Sequence, residues 1–266
     1  FVQSGFFNII GQPDGQLNRK LARLAFDHKG DPWEPFAYGQ KAWAYHIAEK
    51  FKIKLIFYGE NGELEYGGSI KYKNVHKESH EDWENQYYKG SNVDDLVRVG
   101  IETGLLKKEE VPQPKLKWYK APAAEIIENL QLEMHWFSYY VKWTPQENFY
   151  YAVKHAGMEL NDEGRTEGTY TKYASLDDKL DGFHFYPSYM KFGLGRCSRD
   201  AQQDIRRHHI TRDEGVALVR RYDGEFPKKY FDWMLNYLEF SEEHFWEIMD
   251  FYRSQSNVWK KEDGVW

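Results

Sequence analysis

The chain contains an apolar run that stops abruptly at a cluster of glycines and acids. Residues 54 to 68 read KLIFYGENGELEYGG, and the apolar run is Leu55 to Tyr58. In open α/β sheets ligands bind beyond the carboxyl ends of the strands, where glycines let the backbone approach a phosphate or a base. The pattern therefore predicts a buried strand that ends in a ligand-facing loop. The alternative is an ordinary hairpin turn at Asn61-Gly62, because this dipeptide is a strong turn signal by itself.

The composition narrows the classes of function. A chain of 266 residues can form one large domain or two small ones. Its net charge of −6 lacks the basic excess of a protein that tracks nucleic-acid phosphates, so we expect no nucleic-acid partner. The single cysteine, Cys197, excludes an internal disulfide and favours a reducing compartment. We expect a cytoplasmic protein without a membrane partner, since no apolar stretch has the length of a membrane span.

The first half of the chain combines helical spacing with proline breaks. Apolar positions recur at helical spacing in residues 18 to 28 and 40 to 51, and the second predicted helix leads into the strand. Pro32 and Pro35 separate the two helices, because proline lacks the amide donor that a helix interior requires. Residues 69 to 122 are polar and rich in turn signals, which predicts an excursion made of short helices.

Capping residues predict the helices of the second half. Thr144, followed by Pro145, begins a pattern that Gly157 ends. Thr211 and Glu214 have the spacing of a capping box, in which each side chain bonds the backbone of the other. Further helices are predicted after Pro227 and after a cap at Ser241, whereas residues 165 to 197 lack a clear period and indicate loops and short helices.

Three segments resemble one enzyme family. They read GENGELEYGG, GTYTKYASLDDKLDGFHFYPSYMKFGLGRCSRDAQQDIR and HHITRDEGVALVRRYDGEFP. They resemble the N-acetyl sugar amidotransferases, which make acetamidino sugars for bacterial lipopolysaccharide and flagellar glycans, among them pseudaminic and legionaminic acid derivatives. The resemblance extends over nearly the whole chain.

The resemblance implies a reaction. Members of the family are PP-loop ATP pyrophosphatases whose substrate is a nucleotide-linked N-acetyl sugar. ATP, with Mg²⁺, adenylylates the acetamido oxygen, and ammonia from a glutaminase partner then displaces AMP to leave an acetamidino group. The chemistry is sensible because an amide oxygen is a poor leaving group until it carries AMP, and a metal ion neutralises the pyrophosphate.

The resemblance also implies an architecture. Residues 1 to 70 correspond to the latter part of a parallel-sheet, HUP-like nucleotide domain of the α/β class. Residues 71 to 122 would be a polar connector, and residues 123 to 266 a mainly helical substrate-binding region. The family's SGGxDS pyrophosphate loop and its cysteine pairs are absent from the sequence. We therefore expect that the chain begins after both, and that alone it binds ATP poorly and is inactive.

Candidate site residues near the start of the chain follow from the resemblance. It assigns the nucleotide to Gly59, Glu60, Asn61 and Glu63, and Mg²⁺ to Glu63 or Glu65. The alternative for this loop is a solvated acidic turn. In the preceding helices Arg19 and Gln40 are expected to contact substrate, Arg19 through a bidentate bond to phosphate. Otherwise they are an exposed helix charge and a helix-initiating polar residue.

The second half holds a dense group of opposite charges. Asp178 or His184 is expected to accept the proton that ammonia loses, since histidine titrates in the range suited to this role. Lys191 is grouped with them as catalytic and, with Arg196, would hold phosphates of the sugar nucleotide. Further substrate contacts are assigned to Lys172, Asp200 and Arg206. The alternatives are a structural ion-pair network and an ordinary solvated helix face.

Two other classes of function stay open from the sequence. The first is a noncatalytic half-domain that binds a sugar nucleotide or scaffolds a partner chain. The second is a glycoside hydrolase or lectin, which the aromatic content of 18% and the acids around Asp177 and Asp181 suggest. This second class requires no ATP.

Overall fold

The protein is described by a computed structural model that covers residues 5 to 59, 74 to 79 and 91 to 266. The described chain is α/β, mostly helical, with one small parallel sheet of two strands. The glycine-rich loop from Glu60 onward lies outside the described residues. The HUP-like assignment of the nucleotide domain stays a prediction.

The secondary structure is as follows. The helices are α1 Gly15–Lys29, α2 Glu34–Phe51, α3 Val93–Glu102, α4 Gln113–Leu116, α5 Ala124–Leu130, α6 Phe137–Tyr140, α7 Pro145–Ala156, α8 Asp181–Phe192, α9 Arg196–Arg206, α10 Arg212–Tyr222, α11 Phe231–Leu238 and α12 Glu242–Gln255. The strands are β1 Leu55–Tyr58 and β2 Glu133–Trp136. Short 3₁₀ turns lie at Lys108–Glu110, Lys117–Tyr119 and Lys228–Tyr230. Among the described residues, none of the helices combines the length and apolar character that crossing a bilayer needs.

The chain divides into two compact units. The sheet unit consists of Ile9–Leu24 and the described part of Glu34–Trp143. The helical unit consists of Ala25–Trp33, Thr144–Trp266 and the described residues before Ile9. Helix α1 runs through both units, because it belongs to the sheet unit up to Leu24 and to the helical unit from Ala25.

The core of the sheet unit lies between helix α2 and the two strands. The strands pair in parallel with Leu55 opposite Glu133 and Tyr58 opposite Trp136. Ala42 and Tyr45 of α2 are buried against Met134 of β2. A parallel pair requires a crossover connection, and residues 59 to 132 provide it. The predicted strand at Leu55 to Tyr58 is confirmed, but its predicted burial was wrong, because the Leu55 and Phe57 side chains are exposed and only Ile56 and Tyr58 face the α2 core.

The core of the helical unit is built from aromatic rings. Phe183 of α8, Phe231 of α11 and Phe245 of α12 are buried, and the Phe231 and Phe245 centroids lie 5.0 Å apart. Phe26, at the end of α1, stacks on Phe245 at 5.6 Å. Edge and face contacts between rings add to the burial of their area. This core fixes helix α8 against helix α12.

Most of the predicted caps are present. Thr211 and Glu214 form the capping box of α10, and Ser241 accepts the His244 amide at the start of α12. Helix α7 begins and ends where Thr144 and Gly157 predict, but the Thr144 hydroxyl makes no capping bond. That part of the prediction was wrong because the Thr144 side chain is fully buried, with its Oγ1 unpartnered among the described residues.

The structure corrects two other expectations from the sequence. Helix α2 begins at Glu34, six residues before the predicted start at about Gln40, because Pro35 lies in its first turn where no amide donor is required. Helix α8 occupies twelve residues of a region predicted to be loops and short helices. It contains Pro187 and buries eight of its twelve residues, so packing outweighs the loss of one backbone donor.

Candidate functional site

Four polar side chains of the helical unit come together at the start of helix α8. Asp31 and Trp33 lie in the segment after α1, whereas Asp178 and His184 lie just before and within α8. His184 Nδ1 is 2.8 Å from Asp31 Oδ2, and Trp33 Nε1 donates a 3.1 Å hydrogen bond to Asp178 Oδ2. The Trp33 and His184 rings lie 5.7 Å apart. We refer to these four residues as the histidine cluster.

Asp31 is held as a carboxylate within this cluster. Burial acts to raise its pKa, but the charges of His184 and Lys191 and the hydrogen bond from His184 outweigh burial and lower the pKa below 3.8. Its other oxygen, Oδ1, accepts the Trp33 amide at 3.0 Å. Asp31 therefore presents a negative charge to His184 Nδ1.

The two predicted proton acceptors differ in their surroundings. Both oxygens of Asp178 already accept hydrogen bonds, Oδ1 from the Leu180 amide at 2.7 Å and Oδ2 from Trp33. His184 is bound to Asp31 through Nδ1, and within the described residues its Nε2 makes no hydrogen bond. The His184 side chain is 23% exposed, so the ring edge is within reach of solvent. The geometry favours His184 over Asp178 as a proton acceptor.

A second carboxyl group, Asp181, is buried beside the cluster. It begins helix α8 and is only 8% exposed. Burial, and then the charge of Asp178, raises its pKa from 3.8 to about 6. The Asp181 carboxyl therefore gains or loses its proton near pH 6 while it is buried in the folded protein.

The predicted basic residues occupy different settings. Lys191, at the end of α8, donates to the Lys29 carbonyl at 2.9 Å, and its charge acts on Asp31. Arg196 donates through Nε to Asp200 at 2.9 Å and lies over the Phe185 ring at 5.3 Å. Lys172 is exposed in the loop that precedes α8.

Helix α9 carries the remaining predicted residues of this region. Asp200 is paired with Arg196, and burial raises the pKa of the Asp200 carboxyl. Asp204, one turn later, accepts the Tyr170 hydroxyl at 2.5 Å. Asp200 and Asp204 lie at i and i+4, where like charges repel each other, and these two contacts offset that repulsion. Arg206 is exposed at the end of the helix.

The earliest predicted residues belong to the sheet unit or lie outside the described residues. Arg19 and Gln40 are half-buried on α1 and α2, and Gly59 is exposed directly after β1. Glu60, Asn61, Glu63 and Glu65, which were assigned to the nucleotide and to Mg²⁺, are not among the described residues. The described ranges contain no group of three or more His, Cys, Asp or Glu side chains arranged to hold a metal ion.

The sheet unit holds a buried ion pair that the sequence did not predict. Lys41 Nζ of α2 is 2.5 Å from Glu78 Oε1, with side-chain exposures of 5% and 3%. The ammonium group also lies 4.6 Å from the Trp136 ring at the carboxyl end of β2. A buried charge of this kind is tolerated only when it is paired. We interpret the pair as an anchor of α2 on the strand ends.

Two residues of the histidine cluster were missed in the sequence. Asp31 and Trp33 belong to the short GDPWEPF segment, which predicts only a break between helices. Their partners lie 153 and 145 residues further along the chain. The available signal was a tryptophan two residues after an aspartate in a short proline-rich connection. The spacing of residues in the sequence does not reveal partners so far along the chain.

Comparison with known proteins bears on the region that contains α8. Residues 167–266 match the family model described as LPS biosynthesis protein WbpG-like, C-terminal domain. The matched region includes Asp178, His184 and Lys191, whereas Asp31 and Trp33 precede it. A comparison with curated proteins finds no match. The C-terminal part of the chain is thus similar to a WbpG-like C-terminal domain, and this similarity implies a role in lipopolysaccharide biosynthesis.

Proposed function

We propose that the protein is an ATP-dependent amidotransferase of lipopolysaccharide biosynthesis. Its substrate would be a nucleotide-linked N-acetyl sugar, and its product the corresponding acetamidino sugar. One observation carries the proposal: the region similar to a lipopolysaccharide-biosynthesis domain includes His184, whose environment suits a proton acceptor. The resemblance of three segments to N-acetyl sugar amidotransferases supplies the reaction.

The proposed reaction needs one proton acceptor. ATP would transfer AMP to the acetamido oxygen and release pyrophosphate, and ammonia would then attack the acetamido carbon that bears this oxygen. A carbon–nitrogen bond forms, the carbon–oxygen bond breaks, and AMP leaves with the oxygen while the new nitrogen loses a proton. We assign this proton to His184 Nε2, because Nδ1 is already bound to Asp31. Asp178 has both oxygens occupied and instead shapes the loop before α8.

The anionic parts of the substrates require positive charge. We propose that Lys191 and Arg196 act on the phosphates of the sugar nucleotide, with Lys172 and Arg206 as exposed contacts on the same unit. On the resemblance alone, Mg²⁺ and the nucleotide belong to the glycine-rich loop with Glu63 and Glu65. Ammonia would come from a glutaminase partner.

The test uses the protein produced from its complete reading frame. It is incubated with ATP, Mg²⁺, ammonium and a nucleotide-linked N-acetyl sugar, and mass spectrometry follows AMP and the sugar nucleotide. We expect AMP release that depends on the sugar, together with replacement of one sugar oxygen by an NH group. His184→Asn should lower the rate on the order of a hundredfold. The exposed His208 provides the matched control, since His208→Asn should leave the rate unchanged. Release of AMP without change in the sugar would contradict the proposal.

A second candidate is a noncatalytic protein that binds a sugar nucleotide or scaffolds a partner. This candidate predicts saturable binding of the sugar nucleotide by calorimetry, with no AMP formed under any of the conditions above. AMP formation coupled to sugar conversion would exclude it.

A further inference from the structure

The carboxylate of Asp31 and the imidazole of His184 form a pair across a long interval of the chain. Asp31 follows α1 and His184 lies in the first turns of α8, and the two atoms Oδ2 and Nδ1 are 2.8 Å apart. Both side chains are largely buried, with exposures of 14% for Asp31 and 23% for His184. A carboxylate accepts hydrogen bonds but donates none, so Nδ1 of a neutral His184 ring must carry the proton.

The position of Asp31 is itself fixed. Its Oδ1 accepts the Trp33 amide at 3.0 Å, and Lys191 contributes positive charge from the end of α8. The Trp33 ring lies beside His184, and the indole nitrogen is held by Asp178. The carboxylate therefore has little freedom to turn away from Nδ1.

We propose that Asp31 is a positioning residue that holds His184 in the tautomer protonated on Nδ1, which leaves Nε2 unprotonated for proton transfer. The role of Nε2 in amidine formation rests on the proposed function, whereas the tautomer is a property of the pair alone. A carboxylate that fixes a histidine tautomer also stabilises the imidazolium that forms once the proton has been accepted.

The experiment measures the tautomer directly and needs no activity. Nitrogen-15 NMR of the full-length protein, labelled at histidine, reports which ring nitrogen carries the proton, and His184→Asn assigns the signal. We expect the Nδ1-protonated form in the wild type at a pH where the ring is neutral. In Asp31→Asn we expect a shift to the Nε2-protonated form, because the new amide group can donate to Nδ1.

The chain offers a matched control for the loss of a histidine–aspartate contact. His244 Nε2 lies 2.7 Å from Asp27 Oδ1 in the same unit. Asp27→Asn should leave the His184 tautomer unchanged, even if it alters stability. An unchanged His184 tautomer in Asp31→Asn, with the fold intact by circular dichroism, would overturn the proposal.

Kinetics add a second readout that separates positioning from folding. In the amidotransferase assay, Asp31→Asn should lower kcat on the order of a hundredfold while KM changes little, and Asp27→Asn should change neither. Failure of the wild-type enzyme to convert any sugar would count against the proposed function but not against the tautomer assignment. A tautomer shift without a fall in kcat would remove the catalytic part of this inference.

Discussion

The indole nitrogen of Trp33 donates a 3.1 Å hydrogen bond to the Asp178 carboxylate, which lies 145 residues further along the chain. The bond ties the segment after α1 to the loop that leads into α8. Asp178 also accepts the Leu180 amide, so one carboxylate both shapes the start of α8 and holds the tryptophan. The histidine cluster thus depends on contacts that link distant parts of the helical unit.

Replacing Trp33 by Phe removes this hydrogen bond and retains an aromatic ring. A bond to a charged acceptor that is partly buried stabilises a fold by about 1 to 2 kcal/mol, so Trp33→Phe should lower the free energy of unfolding by about that amount. Urea denaturation measures the change. Trp246 is the matched control, because its Nε1 donates at 3.1 Å to the exposed Glu242. Trp246→Phe should cost less than about 0.5 kcal/mol, and equal losses at the two sites would contradict the account.

Asp181 should make stability fall as the pH rises. Burial raises its pKa from 3.8 in the unfolded reference to about 6 in the fold, so the folded protein binds the proton more tightly. The stabilisation is fully present below 3.8 and is lost as the pH rises through about 6. Asn at this position carries no charge at any pH, so the variant does not lose this stabilisation. The free energy of unfolding of Asp181→Asn, relative to wild type, should therefore rise by about 2 to 3 kcal/mol from about pH 4 to about pH 7.

Urea denaturation at a series of pH values tests this difference. The exposed Asp162 is the matched control, because its charge is not among those that raise the pKa of Asp181, so Asp162→Asn should keep the pH dependence of the wild type. If Asp181→Asn also keeps the wild-type pH dependence, the Asp181 carboxyl does not titrate as described.

The two threonines that precede helices should respond oppositely to the same substitution. Thr211 Oγ1 accepts the Glu214 amide at 3.3 Å, so Thr211→Val should cost about 1 kcal/mol of stability. Thr144 is fully buried and its hydroxyl has no partner among the described residues, so Thr144→Val should stabilise by about 1 kcal/mol. Thermal and urea unfolding of both variants check the pair. A loss at Thr144 as large as that at Thr211 would show that its hydroxyl is bonded.

Cys197 should be unreactive in the folded protein. Burial, followed by the charges of Asp223 and Asp200, raises the pKa of its thiol to about 12. The thiolate is the reactive form, so it is scarce at neutral pH and also shielded from reagents. Because the chain has a single cysteine, a colorimetric thiol reagent reports this residue alone. We expect slow labelling in buffer and rapid, complete labelling in urea, whereas rapid native labelling would contradict the buried position.

The features that local physics determines could be predicted from the sequence. The strand at Leu55 to Tyr58, the capping box at Thr211 and the cap at Ser241 depend on residues close together in the chain. Helix α8 was missed because Gly182 and Pro187 argue against a helix locally. Helix α8 forms because burial against elements that are distant in the sequence outweighs the low helix propensity of these residues.

The candidate site likewise contains some residues that the sequence could identify and others that it could not. Asp178, His184 and Lys191 lie within one charged segment, and their residue types single them out. Asp31 and Trp33 gain their significance only from partners far along the chain, so no spacing rule could select them. Thr144 shows the converse case, since its position before Pro145 predicts a cap that burial prevents.

In the proposed reaction, ATP activates the acetamido oxygen of a nucleotide-linked sugar. The most direct measurement uses a substrate whose acetamido oxygen is oxygen-18, with ATP, Mg²⁺ and ammonium, and the protein from its complete reading frame. Mass spectrometry then locates the label. We predict that the label appears in AMP as the acetamidino sugar forms. Label that stays in the sugar, or that enters inorganic phosphate in place of AMP, would rule out adenylylation of the acetamido oxygen.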